Sequence, residues 1–298
     1  MTNPEVTHEW TETSANIRVR GLSRTIRVLH VTDSHISLID ERDGQHLEKC
    51  RDARGKFASR RLDASGAPVS TEITFAETLT RSDFGALDLL ALTGDIVNFP
   101  ARASLESASA SLARAGIPAL YTPGNHDWLF SGLEGTDARR LEFYPSLAPL
   151  HGGAPSFAKR DIHGVRFIAI DDSNYQVNDE QFEFARAALK DGMPSVFLIH
   201  IPISLPTLRP PTIARWNAPI LLGDPHWDEL SRKKWFARVN GDRTVEFVRL
   251  LAESAHVIAV LCGHIHFHHA DNLNPHAIQY VGKPGYEGGF RLVEIGPL

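Results

Sequence analysis

Short apolar runs, each cut off by a polar cluster, recur along the 298-residue chain. Ile26 to Thr32 reads IRVLHVT and is followed at once by Asp33-Ser34-His35, while Leu87 to Thr93 reads LDLLALT and ends in Gly94-Asp95. Pro118 to Pro123 leads into Gly124-Asn125-His126-Asp127, Ser195 to Ile199 ends on His200, and Val257 to Cys262 ends on Gly263-His264-Ile265-His266. Runs this short and this rich in Val, Ile and Leu predict strands buried on both faces. Between them the apolar positions fall at helical spacing. Thr71 to Arg81 places Ile73, Ala76 and Leu79 on one face, and Thr244 to Ser254 does the same with Val245, Val248 and Leu251. Ala101 to Ala115 stops at Gly116 with Pro118 just beyond, a C-terminal signal. Asn178 to Lys190 begins on a cap residue and turns Phe182, Ala185 and Leu189 inward. Alternating strands and helices predict an α/β fold, whose ligands gather at the carboxyl ends of the strands.

Two stretches break the rhythm. Residues 37–70 are polar, and from Lys49 to Arg61 basic, with Lys49, Arg51, Arg54, Lys56, Arg60 and Arg61 against Asp52 alone. Residues 205–241 carry five prolines and three tryptophans, Trp216, Trp227 and Trp235. We read the chain as one domain over 1–298 with these two stretches as insertions, since long irregular segments in a compact domain commonly form functional lids. The basic run is either a solvated loop or an arm that meets an anionic substrate. The tryptophans read first as packing anchors.

Composition narrows the class of partner. Apolar residues make up 42 % and charged residues 22 %, an ordinary globular balance. A formal charge of −5 gives no general attraction to nucleic acid or anionic membrane, so affinity for a phosphate must come from a local site. Two cysteines, Cys50 and Cys262, do not make a disulfide framework. The first 22 residues lack a basic start followed by an apolar stretch, and no apolar run is long enough to span a bilayer. The expectation is a soluble cytoplasmic protein whose partner is a small phosphate ester.

The polar clusters carry the chemistry. Asp33, His35, Asp95, Asn125, His200, His264 and His266 lie in five motifs that each begin within a residue or two of a strand end, where a chance collection would not gather. Carboxylate oxygen and imidazole nitrogen suit Fe, Mn or Zn, and no cysteine is among them, which argues against a closed structural zinc site. A carboxylate such as Asp95 can bridge two cations, one oxygen to each. Two cations about 3.5–4 Å apart can hold a shared hydroxide for in-line attack at phosphorus. Asn125 adds a neutral amide oxygen and keeps the centre positive. His126 is then free beside the metals as general acid, and Asp127 is placed to orient it and raise its pKa.

In this order, Asp33-x-His35, Gly94-Asp95-x-x-Asn98, Gly124-Asn125-His126-Asp127, His200 and Gly263-His264-x-His266 resemble the calcineurin-like metallophosphoesterase superfamily, from about Ile26 onward. The resemblance implies a sandwich of two mixed β-sheets flanked by helices. It implies one metal on Asp33, His35, Asp95 and His266, a second on Asp95, Asn125, His200 and His264, and His126 as the catalytic group. Two divalent or trivalent transition metal ions are the implied cofactors. Purple acid phosphatases carry a tyrosine ligand where this chain has Asn98, which argues against that subfamily. Bacterial cyclic-nucleotide phosphodiesterases often read His-His-Pro where this chain has His200-Ile201-Pro202. The segment Phe167 to Ser173 (FIAIDDS) is similar to a strand-end segment of such enzymes.

The expected activity is therefore hydrolysis of phosphoric esters, with a diester slightly favoured because the second insertion is large enough to close over a nucleoside-sized group. A phosphomonoesterase, a nuclease and a non-catalytic interaction module are the competing readings. The acidic balance disfavours the nuclease, and the complete ligand set disfavours the module. Asn98 is read either as a helix cap or as a substrate contact. His30 reads as core, and His268 and His269 either as surface residues or as supports of the metal ligands.

Overall fold

The computed structural model describes residues 5–57, 61–151 and 155–298, so Arg60 of the basic run lies outside the described residues. Two six-stranded sheets face each other. Their strands are β1 (Val6–Trp10), β2 (Ser14–Val19), β3 (Ile26–Val31), β4 (Leu89–Thr93), β5 (Ala119–Thr122) and β6 (Phe157–Ile162). The chain continues with β7 (Val165–Ile170), β8 (Ser195–Leu198), β9 (Val257–Cys262), β10 (His269–Asn274), β11 (Ala277–Val281) and β12 (Arg291–Pro297). The first sheet runs β1-β2-β12-β3-β4-β5 and the second β10-β11-β9-β8-β7-β6. Both are mixed: β3, β4 and β5 are parallel, as are β7, β8, β9 and β11. Antiparallel pairs lie at the outer strands β1–β2, β6–β7 and β10–β11, and at the middle of the first sheet, where β12 meets β3.

The runs that predicted strands are the buried centres of these sheets. Every residue of β4, β7, β8 and β9 is buried, as the unbroken apolar pattern requires. β2 and β12 instead alternate between buried and half-buried positions along most of their length. Alternating or short polar strands are what the reading of apolar runs passes over, and β1, β2, β6, β10, β11 and β12 were all found only in the structure.

Side chains such as Ile17, Val28, Leu89, Phe167, Val196 and Leu261 fill the space between the sheets. The helices lie outside. In chain order they are α1 (Leu47–Ala53), α2 (Thr71–Leu79), α3 (Arg102–Ala115), α4 (Asp137–Phe143), α5 (Ala148–His151), α6 (Asp179–Ala188), α7 (Arg209–Trp216), α8 (Glu229–Trp235) and α9 (Asp242–Glu253). α2 and α3 cover the first sheet through Phe75, Leu79, Leu105 and Ala108, and α6 and α9 cover the second through Phe182, Ala185, Phe247 and Leu251. Each such large apolar side chain contributes about 1.5–3 kcal/mol on burial.

The helix ends follow the sequence signals. α3 stops at Gly116 with φ +64, and Asn178 caps α6 in a reciprocal pair with Gln181. Two inward faces differ from expectation. α2 buries Thr71, Thr74, Phe75, Thr78 and Leu79 while Ile73 is 48 % exposed, because the stripe through Phe75 carries the bulkier side chain. α9 likewise turns Thr244, Phe247 and Leu251 inward and leaves Val245 out. In the first insertion Arg51 pairs with Glu41 at 3.1 Å and Arg61 with Glu77. Both cysteines are buried and free. Among the described residues no helix is long and apolar enough to cross a membrane.

Candidate metal centre

The carboxyl ends of β3, β4, β5, β8 and β9 converge at one end of the sandwich, each releasing its chain into a tight turn. The turns are knitted by backbone hydrogen bonds: Asp33 N–H to Gly94 O (2.9 Å), His35 N–H to Asp95 O (2.9 Å) and Gly263 N–H to His200 O (3.0 Å). Asp33, His35, Asp95, His264 and His266 all adopt positive φ, between +45° and +70°. Left-handed backbone costs a non-glycine residue of order 1–3 kcal/mol, and such strain concentrates at functional sites. The glycines allow the turns to touch. A methyl on Gly94 would sit 2.5 Å from Gly124 N and 2.6 Å from His200 Nδ1, and one on Gly263 would collide with Thr32 Oγ1 and Asp33 Oδ2.

Six of the predicted residues form two groups that share Asp95. Asp33, His35, Asp95 and His266 make one, and Asp95, His200 and His264 the other, with the donor atoms of each group within 4.8 Å of one another. His266 Nε2 lies 3.2 Å from Asp33 Oδ1 and 3.1 Å from His35 Nε2, and His264 Nδ1 lies 3.2 Å from His200 Nε2. Asp95 Oδ1 accepts from His126 N–H at 2.8 Å. Oδ2 faces both groups, 3.7 Å from His35 Nε2 and 3.4 Å from His200 Nε2.

The charge states suit cations. Burial opposes ionisation of Asp33, but His266 and His200 outweigh it and hold its carboxyl at about 2; Asp95 is also held well below the usual range, chiefly by His200 and His126 against burial. Burial drives His264 to about 3 and His35 well below its ordinary value, leaving both as neutral imidazoles with a free lone pair. His200 is pushed the other way, to about 10, where Asp95 and Asp33 overcome burial. A cation among these groups would displace that proton. Asn125 follows Gly124 in the same turn, and its Oδ1 is buried with no hydrogen-bond partner among the described residues. An orphan amide oxygen is costly unless something binds it. The donor set and this orphan both fit metal ions.

The model of the calcineurin-like phosphoesterase family matches residues 26–268. The chain belongs to this family. Solved structures with the same fold include a dimetal phosphatase from Danio rerio, at 10 % identity and TM-score 0.53 with 88 % of each chain covered. Another is a purple acid phosphatase from yellow lupin, at 14 % identity and TM-score 0.52, covering 92 % of this chain and 47 % of that one. At such identities the likeness is one of fold. Among curated proteins none matches the chain significantly.

Around the candidate ligands of this calcineurin-like phosphoesterase stands a set of residues the sequence did not single out. Each fixes a ligand's second atom or its backbone. Thr93 O holds His200 Nδ1 at 2.8 Å, and Tyr175 OH holds His264 Nε2 at 2.9 Å. Tyr286 OH lies 3.4 Å from His266 Nδ1. Asp172, at the end of β7, accepts from the N–H groups of His200 and Ile201 at 2.8 and 3.1 Å and so anchors the turn after β8. The doubled aspartate in FIAIDDS was the one available signal for it. Phe57 of the first insertion, only 8 % exposed, stacks on His35 with ring centroids 3.9 Å apart, and Trp216 of the second meets His266 edge-on. Residues that orient metal ligands typically change metal affinity 10–100-fold when removed, so Tyr175→Phe is expected to weaken metal binding about tenfold, read by competition with a chelator. Unchanged affinity would mean that packing alone orients His264.

The other predicted residues divide. His126 reaches the site: its Nδ1 lies 3.0 Å from Asn98 O, and its ring meets those of His35 and Phe57 edge-on. Burial lowers its pKa, with Asp95 opposing. Asp127 does not touch it. Both Asp127 oxygens are taken by Val97 N–H (2.9 Å), Tyr121 OH (2.8 Å) and Gly124 N–H (2.8 Å), so it braces the turn, and the Asn98 carbonyl orients His126 instead. Burial and Asp95 push Asp127 up to about 7 against these donors. Asn98 caps no helix. Its Nδ2 turns to Ala53 O at 3.4 Å. His30 is core, 2.7 Å from Thr93 Oγ1, while His268 pairs with Arg291 at 2.6 Å and His269 lies 3.7 Å from Asp271, neither on a ligand.

Proposed function

We propose that this calcineurin-like phosphoesterase hydrolyses phosphoric esters at a two-metal centre, with Asp33, His35, Asp95 and His266 on one ion and Asp95, Asn125, His200 and His264 on the other. Asp95 Oδ2, which faces both donor groups, is the observation that carries the reading. Fe, Mn and Zn all accept these donors. Bound ions supply a nucleophile from water at neutral pH and neutralise the phosphoryl oxygens.

The chain's own residues do the rest. Asn125 contributes an uncharged oxygen, so the anionic ester is not repelled, and its amide N–H is left to donate to a phosphoryl oxygen. His126, pinned through Nδ1 to Asn98 O, directs Nε2 away from that carbonyl. A proton on Nε2 then passes to the leaving oxygen as the ester bond breaks, which requires the imidazolium form. Burial disfavours that form and the anionic ester favours it. Phe57 and Trp216 exclude bulk water from above the ligands.

A diester stays slightly favoured because the second insertion reaches the centre at Trp216, beside His266, where it can enclose a substituent other than the leaving group. The cavity of about 300 Å³ beside His126 takes the leaving group of either ester. The monoester reading is favoured by Lys56 and Lys234 in the wall of that cavity, cations suited to a dianion. Stripping metals with a chelator is expected to abolish turnover of nitrophenyl phosphate mono- and diesters, and Mn²⁺ or Fe²⁺ to restore it. A protein with metal bound that turns over no ester on a broad panel would sink the proposal.

A further inference from the structure

The cavity of about 300 Å³ beside the metal ligands includes both Asn125 and His126 in its wall. In an in-line displacement the leaving oxygen departs opposite the attacking one, towards its proton donor. On the reading of His126 given above, the side of the site bearing this cavity is thus the side of the leaving alcohol. Much of the rest of its wall is apolar, with several aromatic rings: Phe99, Phe130 and Leu133 from the first half of the chain, Trp235 and Phe236 from the second insertion. Phe99 and Phe130 are buried and fixed in their own cluster, with Phe130 stacked on His46 at 4.2 Å. They form a rigid floor. Trp235 is held edge-on by Trp216, and its indole N–H is buried with no partner among the described residues.

Phe236 is the unusual element. It is 41 % exposed, yet its backbone is left-handed at φ +54, where it ends α8. Glycine or asparagine is the ordinary residue for such a position. This large ring lies against Gly135 and belongs to none of the buried core clusters. Lys56 and Lys234, one from each insertion, give the same wall positive charge that suits an anionic ester.

We propose that this cavity is a leaving-group subsite that selects phosphate esters whose alcohol carries a flat aromatic ring, with Phe236 its specificity-determining residue. The inference rests on the phosphoesterase reading and adds the class of ester. The volume lies at the lower limit for small-molecule sites, which suits one ring.

The test compares 2-phenylethyl with ethyl phosphate, each also as its methyl diester, on the metal-loaded enzyme. The two alcohols are nearly equal in acidity, so the chemistry at phosphorus is matched and the ratio of kcat/KM reads the subsite. The phenylethyl ester is expected to be favoured roughly 30-fold, in line with the apolar area of a ring. Phe236→Gly, which removes the ring while relieving the backbone, is expected to cut that ratio at least about threefold, with folding checked by thermal melting. Equal kcat/KM for the two esters overturns the subsite, as does a ratio unaltered in Phe236→Gly. Absence of turnover for every ester with metals bound overturns the phosphoesterase reading itself, and the subsite with it.

Discussion

Asp95→Asn is expected to lose metal from both donor groups and to slow ester hydrolysis on the order of a thousandfold or more. The substitution is nearly isosteric, and an asparagine in the same rotamer keeps an oxygen at Oδ1 to accept from His126 N–H. What changes is the other atom. Oδ2, now facing His35 Nε2 and His200 Nε2, becomes an NH₂ group that cannot ligate and points its hydrogens where cations would sit. The negative charge that holds His200 in its raised state also disappears. Metal content by elemental analysis, run beside turnover of a nitrophenyl ester, reads both effects. A variant that keeps full occupancy of both groups would disprove the shared-oxygen arrangement.

His126→Ala should behave in the opposite way, keeping its metals and losing rate. A positioned general acid typically contributes 10²–10⁴-fold, so alkyl esters are expected to slow by about that range. Nitrophenolate leaves without a proton, and its esters should slow far less. His126 is tied to the ligands through its backbone N–H, which alanine retains, so metal occupancy is expected to stay near that of the parent. If occupancy falls as far as in Asp95→Asn, His126 belongs to the metal shell and is not the proton donor.

The contrast between these two residues shows how far the sequence reaches. Its five apolar runs became β3, β4, β5, β8 and β9, and the ligand turns stand at their ends because buried parallel strands have a strong one-dimensional signature. Residue type beside those ends was enough to gather the six residues of the two donor groups and Asn125. Orientation was not legible. Asp127 follows His126 directly, yet its carboxylate turns away to Tyr121 and two backbone donors, because successive side chains in a tight turn diverge. The partner of His126 is instead a carbonyl 28 residues away, and no side-chain pattern encodes a carbonyl. Tyr175 and Phe57 were invisible for a related reason: each reaches the centre from a loop whose path depends on tertiary packing. The edge and alternating strands were missed because polar positions interrupt their apolar runs, as in β10, HADNLN.

The placement of β12 has a consequence for how the centre comes into being. All seven proposed ligands have been synthesised once the chain reaches His266. The strand that presents Asp33 and His35 is still an open edge at that moment, because its neighbour is β12, which pairs Leu292 with Leu29 and Val293 with Val28 on one side and Ile295 with Ile17 on the other. This strand, made after every one of those residues, has to enter between two early ones. Such a pairing of distant segments forms slowly and late. During synthesis the proposed ligands are thus all present before β12 can close the sheet that presents Asp33 and His35, so assembly of the centre is expected to follow its insertion.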